Sequence, residues 1–185
     1  MPSLRAAALT DIGRVRQRNE DRYILDLPSM IFGVADGVGG LPGGADAAQC
    51  CVDEVVVALA NQSPDQKLDL VPIVHRINLS VHNLGIKLSP SMGIGSTLTF
   101  GHVRNNILHI AHVGDSRCYG LRADRLQLLS EDHSVENEAR MRRARGETVY
   151  YHEANRNALT RCIGQQNLNG DRITKGITKL VKNTL

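Results

Sequence analysis

The sequence predicts an α+β domain in which antiparallel strands carry packed helices. Three observations lead there. Two short strand-like runs come first, two long helical runs follow, and the strand-like runs that resume are joined by turns of only two or three residues. Such short connections join antiparallel neighbours, whereas parallel strands need crossovers of a dozen residues or more. The length of 185 residues suits one domain, 1–185, large enough to bury a core without staples.

The elements follow in order. Residues 22–27 ("RYILDL") and 30–35 ("MIFGVA") read as strands around a turn at Pro28-Ser29. Ala45 to Ala60 reads as a helix, with Ala48, Cys51, Val52, Val55, Val56 and Leu59 at helical spacing on one apolar face. After a polar linker from Asn61 to Lys67, a second helix starts near Asp69 and carries Ile73, Ile77, Val81, Leu84 and Leu88 as its buried stripe until "SPSMGIG" breaks it. "STLTFGHV" and "ILHIAHVG" then flank an "RNN" turn, in which Asn tolerates the positive φ that tight hairpins need. "SRCYGLR" and "LQLLS" flank an "AD" turn, and a polar helix spans Val135 to Arg145 before Gly146.

Composition narrows the function. Hydrophobic residues make up 42% and charged residues 22%, ordinary for a globular protein. Aromatics are only 3%, without Trp, and the net charge is +3 with the basic residues dispersed, which argues against a nucleic-acid platform. Cys50, Cys51, Cys118 and Cys162 form no CxxC pair and read as reduced thiols. With no apolar run long enough for a membrane span or a signal peptide, the expected location is cytoplasmic.

Chemistry concentrates where acids end apolar runs. Asp36 closes "IFGVAD" and is followed by Gly37, Gly39, Gly40, Gly43 and Gly44. A carboxylate at a strand tip needs water, a partner or a cation. Oxygen ligation by Asp36 and the Gly37 carbonyl suits Mg²⁺ or Mn²⁺; the plainer reading is a loop-capping acid with turn glycines. Asp115 in "HVGDSR" repeats the arrangement, and read alone it is equally an ordinary turn acid. In "RVRQRNED", Arg14, Arg16 and Arg18 alternate, so an extended backbone would put them on one face to clamp a phosphate, unless the string is simply a solvated charge run. The glycine loop lacks the Lys of a P-loop, and Ser96 and Ser116 lack a nucleophile's partners. His112 and His133 have no second His at ligand spacing and read as structural.

"GRVRQRNED", "VADGVGG", "GSTLTF", "HVGDSR", "SEDHS" and "NALTRCIG" occur in the order and spacing of the metal-dependent protein serine/threonine phosphatases (type 2C, PPM), and residues 11–165 resemble the bacterial members. The resemblance implies an antiparallel β-sandwich flanked by helices (α-β-β-α) around a dinuclear Mn²⁺ or Mg²⁺ centre. Asp36 matches the bridging aspartate, Gly37 the residue that ligates through its carbonyl, and Glu20, with Asp21 beside it, the acid that holds a metal-bound water. Arg16 matches the substrate-phosphate arginine, Asp115 an aspartate linked to a third, weaker metal, and residues 135–155 a mobile flap. The implied reaction is in-line attack on a phosphoserine or phosphothreonine of a protein by an activated water, without a phosphoenzyme. The implied partners are phosphorylated proteins, among them a serine/threonine kinase and its targets.

The family pattern also holds two later aspartates, in Asp-Gly and Asp-Asn strands, that residues 166–185 do not contain. Asp171 is the only acid there, and it is not assigned as a ligand. The expectation is a C-terminally incomplete domain with a truncated, frameshifted or divergent tail. An attenuated or inactive module that binds phosphoproteins is the alternative.

Overall fold

A computed structural model describes residues 4–60, 62–63 and 68–166; the tail that carries Asp171 lies outside them. Strands β1 (Asp21–Asp26) and β2 (Ile31–Asp36) form the first hairpin, one residue out of step with the sequence reading because the turn takes residues 27–30. Met30 closes that turn with φ of 57° and donates its N–H to the Leu27 carbonyl at 3.2 Å. Helices α1 (Gly44–Ala60) and α2 (Leu70–Leu88) follow, then β3 (Leu98–Arg104) and β4 (Ile107–Val113). The four strands make one antiparallel sheet in the order β1-β2-β3-β4. β5 (Tyr119–Arg122) and β6 (Arg125–Leu128) pair as a separate ribbon, so the second sheet is two-stranded among the described residues. Helix α3 (Val135–Ala144) leads into a 3₁₀ turn at Glu153–Asn155 within the stretch expected as a flap.

Strand alternation builds the core. Ile24, Ile31, Ala35, Leu98, Phe100, Ala111 and Val113 point to one face and pack under Ala48, Cys51, Val52 and Val55 of α1 and Ile73, Ile77 and Val81 of α2. Leu88, expected in that stripe, is exposed at the last residue of α2, next to the Ser89 cap. On the opposite face of the sheet, Tyr23, Leu25 and Val34 stay 45, 42 and 45% exposed.

Caps fix the helix ends. The Asp69 carboxylate accepts the Val71 N–H at 3.0 Å, which starts α2. Ser134 caps α3, which carries Glu136 and Glu138 in its first turn and Arg142 and Arg143 in its last, complementing the helix dipole. All four thiols are free, and no helix among the described residues is long and apolar enough to cross a membrane.

Candidate metal centre and phosphate cleft

The β1–β2 register sets Asp21 directly opposite Asp36 at the end of the hairpin. The two carboxylates therefore sit side by side on one face of the strand pair. Burial, then the Asp21 charge, pushes Asp36 up to about 6, and Asp115 adds to the rise while Arg16 opposes it. Two acids in such contact are comfortable only with a shared proton or a cation between them. That donor set fits a hydrated divalent ion, since Mg²⁺ keeps most of its waters and takes one or two carboxylates. Among the described residues, no three His, Cys, Asp or Glu side chains converge tightly enough to hold a metal by themselves.

Gly37 leaves the strand end with no room for a side chain. Its N–H donates to the Glu20 carbonyl at 3.2 Å, and a Cβ there would lie 2.4 Å from the Gly44 carbonyl group. Glu20 sits against Gly44, where α1 begins, and its carboxylate accepts from Arg16 Nη1 at 3.3 Å. The backbone turns at residues 13–15 and bends at 17–18, beginning with the Gly13 N–H on Asp11 Oδ1 at 2.7 Å. The arginine string is therefore not the extended, one-faced run that its alternation suggested. Arg16 and Arg18 nonetheless line one open cleft of about 570 Å³ with Glu20, Gly39 and Gly40.

A hydroxyl relay lies behind the acids. Thr97 Oγ1 accepts the Asp36 N–H at 2.9 Å and meets Ser116 Oγ at 2.7 Å, while Ser96 Oγ donates to the Asp36 carbonyl at 3.0 Å. His112 and His133 are buried with ring centroids 4.9 Å apart. The Glu131 carbonyl can only accept, so His112 carries a proton on Nε2 (2.9 Å), while its Nδ1 meets the Thr99 hydroxyl at 2.8 Å. Both are satisfied structural histidines, as their isolation in the sequence indicates.

Arg16 and Asp115 thus both lie within electrostatic reach of Asp36, and Glu20 joins through Arg16. Asp21 and Thr97 were not assigned roles from the sequence. Asp21 was within reach: once the four-residue turn is known, counting back along the hairpin pairs it with Asp36.

The family described as Protein phosphatase 2C matches residues 14–181. The chain belongs to the protein phosphatase 2C family. Protein phosphatase PhpP of Streptococcus pneumoniae is 32% identical over 171 residues, covering 85% of this chain and 67% of its own. Serine/threonine protein phosphatase PstP of Mycobacterium tuberculosis is 34% identical over 137 residues, covering 70% of this chain and 25% of its own. The solved PPM Ser-Thr phosphatase MsPP of Mycobacterium smegmatis, in complex with cacodylate, superposes with a TM-score of 0.70 at 31% identity, over 87% of this chain and 67% of that one. The chain therefore spans about two thirds of the length of PhpP and MsPP. The phosphatase 2C fold accounts for an antiparallel sheet whose acid-bearing ends meet a glycine-rich helix start.

Proposed function

We propose that the chain is a metal-dependent phosphoprotein phosphatase acting on phosphoserine and phosphothreonine, with Mn²⁺ or Mg²⁺ as cofactor. The Asp21–Asp36 carboxylate pair, with Asp115 and Arg16 within electrostatic reach, carries this reading. Asp36, the Gly37 carbonyl, Glu20 and Asp115 would hold the ions, two with a third at Asp115. When bound, the ions supply positive charge against the phosphoryl oxygens and lower the pKa of a ligated water. Arg16 presents its guanidinium to the cleft over Gly39 and draws in the substrate phosphate as a planar, two-pronged donor. Its present partner is Glu20, at a half-exposed pair that is cheap to break for a dianionic ligand. Gly39 keeps the floor of the cleft free of side chains, and the N-terminus of α1 adds its positive end. The substrate is a phosphorylated protein, with a serine/threonine kinase and its targets as the natural class, in the cytoplasm.

Phosphate release from a phosphothreonine peptide should require Mn²⁺ and stop with chelator or with Asp36→Ala. Turnover that persists in chelator would overturn the reading. A second reading is an attenuated or inactive module, favoured by Arg16 and Arg18 lining one open cleft that can hold a phosphate. In that case the chain binds phosphopeptides at Arg16 and Arg18 without hydrolysing them, and a titration that shows binding with no release at any Mn²⁺ concentration selects it.

A further inference from the structure

The motif "SEDHS", residues 130–134, is left without a role by the acid cluster, yet three of its side chains close on one turn. Ser130 Oγ accepts the Cys118 N–H at 3.0 Å. Asp132 takes Arg117 in a forked ion pair, with Nε on both carboxylate oxygens at 3.0 and 2.9 Å and Nη2 on Oδ2 at 2.6 Å. His133 Nδ1 accepts the Gly114 N–H at 3.0 Å, and the His133 N–H returns to the Gly114 carbonyl at 2.8 Å. The bonds bracket Asp115 on both sides. Gly114 holds φ of 112° with a Cβ position only 2.6 Å from Thr97, so this turn has one way to leave β4. Behind the clamp, the His133 carbonyl accepts Thr160 N–H at 2.9 Å and the Val135 N–H reaches the Ala158 carbonyl at 3.0 Å, tying the two ends of the α3 excursion to the same residues.

We propose that Ser130, Asp132 and His133 are positioning residues: they fix the turn 114–118 and thereby aim the Asp115 carboxylate at the acid cluster. The proposal rests on the reading of Asp115 as a cation ligand. A carboxylate on a slack turn would spend part of its time away from the ion, so these outer partners should govern the weaker class of bound cation and leave the Asp36 class alone.

The test is Mn²⁺ binding to the full chain, followed by electron paramagnetic resonance, with Asp36→Ala and Asp115→Ala assigning the two classes. In folded His133→Leu and Asp132→Ala, the Asp115-dependent class should weaken about tenfold or more while the Asp36-dependent class holds. His133→Asn, whose Oδ1 can take over from Nδ1, should bind like the unsubstituted chain. Wild-type affinity in both classes, or parallel loss of both, overturns the clamp. If Asp115→Ala alters no Mn²⁺ class, the ligand role of Asp115 falls, and amide exchange then judges the clamp separately. Faster exchange confined to residues 114–118 in His133→Leu supports it, and unchanged exchange there overturns it.

Discussion

His133 is the histidine whose titration the fold constrains most. A free histidine protonates near 6.5, but burial first, then the neighbouring His112 and Arg161, pushes His133 down to about 3. Between those values the unfolded chain binds the extra proton and the folded chain does not, so stability is intact above about 6.5 and lost as pH falls towards 3. At pH 5 the loss is about 2 kcal/mol relative to pH 7. Urea midpoints should drop accordingly between those two pH values, and His133→Asn should flatten the drop; an equal drop in the variant would assign the effect elsewhere. Single residues were legible in the sequence when their neighbours along the chain defined them. Asp36 and Asp115 stand out because an acid ends an apolar strand, and His112 and His133 because they lack ligand-spaced partners. Thr97 was not legible, since its value lies in accepting the Asp36 N–H across two strands.

At the scale of elements, turn chemistry decides how well each hairpin closes. Asn105 and Asn106 sit at φ of 52° and 61°, a conformation Asn bears with little strain. The β5–β6 turn demands the same of Ala123 and Asp124, at φ of 46° and 62°. Alanine in the left-handed region costs about 1–2 kcal/mol, so Ala123→Gly should stabilise the chain by about 1 kcal/mol and raise Tm by about 2–4 °C. A lower Tm on differential scanning calorimetry would show that the ribbon relieves the turn by another route. All three hairpins and all three α-helices of the described residues, with their order, were readable, because periodicity and turn residues are local signals. The path of residues 11–20 was not: Asp11 takes the Gly13 N–H into a turn, and the alternating arginines mimic a strand that never forms.

Over the whole molecule, apolar side chains remain where sheets usually meet partners. Tyr23, Leu25 and Val34 cover one face of β1–β2, and Tyr119, Leu121, Leu126 and Leu128 form cross-strand pairs on one face of the ribbon, with Leu121 71% and Leu126 66% exposed. Contiguous apolar surface of this kind promotes association. Sedimentation velocity should show concentration-dependent self-association, reduced by the opposed pair Leu121→Lys and Leu126→Glu; a strictly monomeric chain at high concentration would count against it. Alternation announced which residues share a face, but not that this face stays open, because coverage depends on long-range pairing. The contact between Gly37 and Gly44 bears on how such a chain can change over time. A methyl gained at Gly37 would meet the Gly44 backbone at 2.4 Å, and that partner, itself a glycine, has nothing left to give up in compensation. Sequence drift can therefore rework the helices and the ribbon step by step, while the joint that holds Asp36 against the start of α1 has no neighbouring solution to move to.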